Sequence, residues 1–251
     1  MFAESRLSAR PWLTAPLVDE TIASRRAIRR YLPQTVPVRA VHDILEIARH
    51  APSASNIQPW RCHVLTGAAR DRLVAEALAA FRADGPRALS SEYEFYPAEL
   101  PEAFQGRRAA FGAKLGGALG IAQADIAARL HVMARNFMFF EAPVGIIFTI
   151  DRRLERASLL DYGCFLQNVM FAARARGLDT CPQQTWAMMH RVIRPVLGLG
   201  EEEMVVCGMA MGFADPEAPE NMLGLAKEAP ARFAAFYEEL ADEEELLCVA
   251  A

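Results

Sequence analysis

Ala51-Pro-Ser-Ala-Ser-Asn-Ile-Gln-Pro-Trp-Arg61 is the stretch around which the rest of the chain falls into order. Pro52 and Pro59 bracket small hydroxyl and amide side chains, a composition that makes a stiff turn rather than a helix or strand. Upstream, Val41, Ile44, Leu45, Ala48 and Ala51 recur at helical spacing behind Pro37, which predicts a helix with one apolar stripe. Downstream, Cys62–Thr66 reads as a short strand, and residues 68–83 return to a helical pattern. Helix, rigid polar loop, strand and second helix together predict a mixed α and β fold.

The pattern extends in both directions. Val144-Gly-Ile-Ile-Phe-Thr-Ile150 is an uninterrupted apolar run of strand length, as expected for a strand covered on both faces. Residues 161–176 predict a long helix stopped by Gly177. The segment Thr180-Cys-Pro-Gln-Gln-Thr-Trp186 reads as a loop whose backbone amides stay out of regular pairing, followed by a short helix and the strand Met204–Met211. Towards the N-terminus, Glu20–Arg30 reads as a helix ended by Tyr31-Leu32-Pro33. Residues 1–18, broken by Pro11 and Pro16, read as an arm. Residues 84–112 are less regular, with aromatics Tyr93, Phe95, Tyr96, Phe104 and Phe111. A mainly helical stretch then runs to about Glu141, interrupted by Gly116, Gly117 and Gly120. A last helix is expected near Pro230–Ala241, before the acidic run Asp242–Glu245. The expectation is one α+β domain over residues 19–251, in which 84–120 is an insertion suited to a substrate lid.

The 251 residues are 53% hydrophobic, enough for a substantial core without staples. A net charge of −4 is the wrong sign for a protein held on nucleic-acid phosphates or acidic lipid, so neither is expected as a partner. Five scattered cysteines without a Cys-x-x-Cys predict no disulfide framework and a reducing, cytoplasmic setting. The five histidines make no His-x-x-x-His or His-x-Glu pair, so no metal site is expected. There is no Gly-x-Ser-x-Gly elbow, and the glycines from Gly112 to Gly120 fit no phosphate-binding loop. If the protein is an enzyme, a bound cofactor carries the hard chemistry.

Three segments point that way. Ser24-Arg-Arg-Ala-Ile-Arg-Arg30 holds four arginines in six positions; on a helix Arg25 and Arg29 would share a face, as would Arg26 and Arg30. Guanidinium forks so paired match phosphate or polyol oxygens, though a solvated basic face is the commoner role of such a segment standing alone. The loop 52–59 can wrap a polar heteroaromatic edge. The loop 180–186 can aim backbone groups at a ligand.

Read in order, these segments resemble the FMN-dependent nitroreductase family, in the branch that includes nitrobenzoate reductases. The likeness continues through Asn136-Phe-Met-Phe-Phe-Glu-Ala-Pro143, Gly177-Leu-Asp-Thr-Cys-Pro-Gln183 and Val205-Val-Cys-Gly-Met-Ala-Met-Gly-Phe213. It implies an α+β fold with a central, mostly antiparallel sheet flanked by helices. It also implies an intertwined homodimer with two FMN sites at the subunit interface. NADH or NADPH would reduce the flavin and leave, and a nitroaromatic or quinone acceptor would take its place. By the same resemblance Arg25, Arg26 and Arg29, with Ala27 where the family has a serine, would hold the phosphate and ribityl chain. Pro52, Ser53, Ser55 and Asn56 would line the flavin from the partner subunit, and Pro182, Gln183 and Gln184 would sit near its reactive edge. Lys227 stands where the family has a late basic residue for the phosphate. Tyr93, Tyr96 and Phe111 would wall the acceptor site, and Gly116 replaces a tyrosine common in relatives. Phe137, Phe139 and Phe140 are core residues by their helical position, with a substrate wall as the alternative. Two other readings stay open: a relative that dehalogenates aromatics or fragments flavin, and a flavin-binding or sensory protein without turnover.

Overall fold

The computed structural model describes residues 15–237 except Phe95, Ala98 and Glu155. Most of the proposed arm (1–14) and the acidic run (242–245) therefore lie outside the described residues.

Among the described residues four strands form one sheet: β1 (Arg61–Thr66), β2 (Val144–Asp151), β3 (Asp179–Gln183) and β4 (Glu203–Gly212). Their order is β1-β2-β4-β3, and every neighbouring pair is antiparallel. β1 and β3 are the two edges. Seven α-helices among the described residues surround the sheet: α1 (Ala15–Ser24), α2 (Val38–Ala48), α3 (Gly67–Asp84), α4 (Glu102–Ala118), α5 (Ile126–Asn136), α6 (Arg156–Arg174) and α7 (His190–Leu197). The α+β expectation holds.

The unbroken apolar run in β2 follows from its place inside the sheet, because each face of the sheet has its own core. Ile146, Phe148 and Ile150 pack with Val41 and Ile44 of α2 and with Tyr162, Phe165 and Val169 of α6. Ile147 faces the other way, towards Leu73, Ala77 and Phe81 of α3, Phe137, Phe139, Trp186 and Ile193. Each such side chain contributes about 1.5–3 kcal/mol on burial. Phe139 and Trp186 stack at 4.3 Å between ring centroids, and both press against the inner strands. They can do so because Gly145 and Gly208 carry no side chain; a Cβ on Gly145 would lie 2.5 Å from the Phe139 ring. Phe137, Phe139 and Phe140 are all buried, which is the core role expected from their position.

Five expectations are corrected. Pro16 does not break a helix: it occupies the first turn of α1, where its missing N–H has no partner to lose. Residues 25–30 are not helical. They run extended beside β3, with Ala27 bridged to Thr180 and the Ile28 amide donating to the Thr180 carbonyl at 3.1 Å. An open sheet edge and burial of Ile28 and Tyr31 outweigh the helical propensity of an arginine-rich stretch. Residues 179–183 are an edge strand and not a loop, since Pro182 is tolerated at an edge. Gly116 and Gly117 lie inside α4, which begins within the stretch expected to be irregular. The described part of the tail forms one short turn at Pro230–Arg232 in place of the expected helix.

Candidate functional site

Because residues 25–30 are extended, the arginines are arranged by alternation and not by helical turns. Arg25 and Arg29 both act electrostatically on the Cys181 thiol in β3; burial nonetheless pushes that thiol up to about 11, which leaves it an inert filler. The Arg29 guanidinium donates to the Ala27 carbonyl at 3.1 Å and sits 5.0 Å from the centre of the Phe111 ring. Arg26 turns to the Met222 sulfur at 3.9 Å, and Arg30 to Glu141 at 3.3 Å. Arg25 and Arg29 thus form one cationic patch, and Arg26 and Arg30 look elsewhere.

A buried polar frame fixes this segment. Arg135 of α5 donates to the Arg29 carbonyl at 2.7 Å, to Glu220 at 2.9 Å and to Glu141 at 2.9 Å. Burial opposes its charge, but Glu141 and Glu220 outweigh burial and raise its pKa. Asn221 completes the frame: its side-chain oxygen accepts from the Arg29 and Arg30 amides, and its Nδ2 donates to the Arg30 and Asp215 carbonyls. Arg135, Glu220 and Asn221 were missed in the sequence. The available signal was an arginine on an amphipathic helix one residue before a motif that itself contains a glutamate.

At the other edge of the sheet, the loop between α2 and β1 is held open by backbone strain. Ser55, Asn56 and Gln58 have φ of 50°, 56° and 48°, in the left-handed region that side chains other than glycine seldom adopt. The turn is secured by the Ala54 amide donating to Asp161 at 3.2 Å and the Gln58 amide donating to the Ser53 hydroxyl at 3.0 Å. Trp60 stacks on Phe165 at 4.7 Å and anchors its exit. Pro52, Ser55 and Asn56 are exposed, and Ser53 is half-buried. Three inter-strand spacings, roughly 14 Å, separate the two edges. One chain therefore does not bring this loop to the arginines.

In β3 the Gln183 side chain is buried; its Nε2 donates to the Asn136 carbonyl at 2.8 Å, but its Oε1 and the Thr180 hydroxyl have no hydrogen-bond partner among the described residues. Leaving such groups unpaired costs about 1–3 kcal/mol each, so they suit a polar ligand held against this edge. Pro182 and Gln184 are exposed beside them. Lys227 is exposed and makes no ion pair among the described residues.

A cavity of about 1140 Å³ adjoins the arginine patch. Phe111, against which Arg29 lies, is one wall, and Gly112, Gly116, Leu100, Leu115 and Ile121 make it largely apolar. A Cβ on Gly116 would lie 3.3 Å from the Ile121 carbonyl, so a larger residue would force that neighbour to move. Tyr93 and Tyr96 line a separate, shallower depression beside Met188; the Tyr93 hydroxyl donates to the Val206 carbonyl. The four residues expected at the acceptor site are thus divided between two hollows. No cluster of three or more His, Cys, Asp or Glu able to hold a metal occurs among the described residues. No described helix is long and apolar enough to cross a membrane.

A four-stranded antiparallel sheet with a core on each face, an arginine-bearing strap along one edge and a strained polar loop at the other defines an α+β protein of the nitroreductase fold. The chain belongs to the Nitroreductase family, whose sequence model matches residues 22–213. It is 50% identical over 226 residues to the nitrobenzene nitroreductase of Ectopseudomonas oleovorans, covering 90% of this chain and 99% of that one. It is 46% identical, with the same coverage, to the chloronitrobenzene nitroreductase of Comamonas testosteroni. The crystal structure of the FMN and NADPH-dependent nitroreductase NfnB from Sphigopyxis sp. strain HMH matches with a TM-score of 0.85 and 34% identity, over 88% of this chain and 99% of that one. The FMN-dependent NfnB of Mycobacterium smegmatis in complex with NADPH matches with a TM-score of 0.85 at 29% identity, over 89% and 99%.

Proposed function

We propose that this protein is an FMN-dependent oxidoreductase that passes reducing equivalents from NADH or NADPH to nitroaromatic or quinone acceptors in alternate half-reactions. The observation that carries the reading is the Arg25–Arg29 patch beside the unpaired Thr180 and Gln183 side chains, a donor and acceptor set that fits a phosphorylated polyol bearing a polar ring. Relatives named for nitrobenzene and chloronitrobenzene reduction support nitro reduction over dehalogenation, flavin fragmentation or a sensory role.

FMN, when bound, supplies a two-electron hydride carrier. Arg25 and Arg29, with Arg26 and Lys227 at the periphery, neutralise its phosphate. The Gln183 side chain and the backbone around Pro182 and Gln184 fix its ring edge. Pro52, Ser53, Ser55 and Asn56 close over it from a second copy of the chain, because they lie across the sheet from the arginines of their own chain. No side-chain acid or base is required; the protein orients the reactants and excludes water. The acceptor lies against Phe111 and over Gly116, under a lid made by residues 84–120, with Tyr93 and Tyr96 at its margin.

A homodimer also accounts for apolar side chains that one copy leaves bare. Leu17, Val18 and Ile22 of α1, Leu160 of α6, and Phe233, Phe236 and Tyr237 are exposed, and α4 buries none of its residues. The four described cysteines are free, in keeping with a reducing cytoplasm.

Purified protein should be yellow, and its flavin band should bleach anaerobically with NADH or NADPH and return when nitrobenzene is added. A colourless protein that takes up no FMN, or a flavin that neither nicotinamide reduces, overturns the reading.

A further inference from the structure

The cavity is larger than a single uncharged ring would fill, and its lining carries more positive than negative side chains. Ligand pockets typically occupy roughly 300–1,000 Å³, and this one reaches about 1140 Å³. Its largely apolar lining, which also includes Gln105 and Gln123, holds two guanidiniums, Arg108 of α4 and Arg129 of α5, against one carboxylate, Glu99. Neither arginine makes an ion pair among the described residues. Arg108 lies 5.3 Å from the centre of the exposed Tyr96 ring, and Arg129 donates to the Gln123 carbonyl at 3.2 Å. Most other arginines near the sheet ends are committed: Arg135 to Glu141 and Glu220, Arg152 and Arg194 to Glu92, Arg174 to Asp179. The two in the cavity are left with donors to spare; both are exposed, beside the apolar wall that Phe111, Leu115 and Ile121 make.

We propose that Arg108 and Arg129 form an anion subsite, which binds an oxyanion carried by a ligand whose flat ring rests against Phe111. The proposal rests on the function given above and specifies the ligands that its site prefers. Two sources offer that chemistry: a phosphate of the nicotinamide dinucleotide donor, and a carboxylate on the ring of the acceptor. Donor and acceptor occupy one cavity in turn, so a single pair of guanidiniums serves either. An uncharged nitroarene gains nothing from them.

The test uses the flavin-loaded protein and the variants Arg108→Gln, Arg129→Gln and the double variant. Calorimetric binding of NADP⁺ and NAD⁺ forms one arm, and KM for 4-nitrobenzoate against nitrobenzene forms the other. The double variant should weaken binding in at least one arm by on the order of tenfold, as expected for loss of charge-assisted contacts, with the nitrobenzene KM within about twofold of the parent. Weakening for NADP⁺ alone assigns the 2′-phosphate, for both dinucleotides the pyrophosphate, and for 4-nitrobenzoate alone the ring carboxylate. Unchanged affinity for every anion, or a parallel rise for nitrobenzene, overturns the subsite. Flavin content and the melting temperature of each variant are measured beside these; a parent that takes up no FMN defeats the function instead, and NADP⁺ binding to the flavin-free chain still decides the subsite.

Discussion

The side-chain oxygen of Asn221 accepts a hydrogen bond from the Arg29 amide at 2.7 Å and a second from the Arg30 amide at 3.2 Å. Two residues nearly two hundred positions apart are thus joined through one buried amide group, and the strap carrying the cationic patch cannot slide along β3 without breaking both bonds. Replacing Asn221 by Leu leaves two amides unpaired, at about 1–3 kcal/mol of stability. It should lower the melting temperature and loosen FMN together. Asn221→Asp keeps the acceptor and should recover part of both, which calorimetry and flavin titration would measure.

Arg25 has a different profile: among the described residues its guanidinium takes no part in the Arg135–Glu220–Asn221 frame, and in the function proposed above it meets the FMN phosphate. Arg25→Ala should weaken FMN retention by tenfold or more, the equivalent of about 1.4 kcal/mol, with little change in the melting temperature of the flavin-free protein. Equal losses in both, without rescue by excess FMN, would contradict the assignment.

Glu92 gives the pH dependence. Burial alone would raise its pKa, but hydrogen bonds from Arg152 and the Val205 amide and the nearby His190 prevail, so its carboxyl titrates below the ordinary 4.5. A carboxyl depressed in the folded state stabilises the fold fully above its unfolded pKa, and this is lost as pH falls through the folded value. The melting temperature should therefore drop below about pH 4.5, and in Glu92→Gln that portion of the slope should flatten.

Gly145 tests the packing of the second core. Gly145→Ala would press a methyl into the Phe139 ring, which is stacked on Trp186, itself packed against Gly208, so the Phe139 ring can move only by disturbing its partner. Overpacking of this kind costs about 1–3 kcal/mol, and urea unfolding should show the loss with the m-value unchanged.

The inner strands were legible because burial on both faces leaves β2 and β4 almost wholly apolar, with Thr149, Asp151 and Glu203 gathered at one end, and α2 because its stripe at 41, 44, 45 and 48 has a helical period. The strap at 25–30 and edge strand β3 were not. Each is short, and each takes its conformation from a neighbour distant in sequence, β3 from β4 and the strap from β3, a tertiary cause that leaves no local period. The 51–61 loop was recognisable by composition, yet its three left-handed residues carry no glycine to announce them. Arg135 escaped notice because a buried arginine resembles an exposed one until its two carboxylates, at 141 and 220, are brought to it.

In the homodimer proposed above, the placement of the strap and the strained loop on opposite sheet edges has a genetic consequence. A chain crippled at Arg25 and another crippled at Asn56 should each be inactive alone, yet co-expression should restore turnover. In a mixed pair, one centre inherits both lesions and the other inherits neither. With random assortment half the pairs are mixed, so recovery should approach about a quarter of the parental rate.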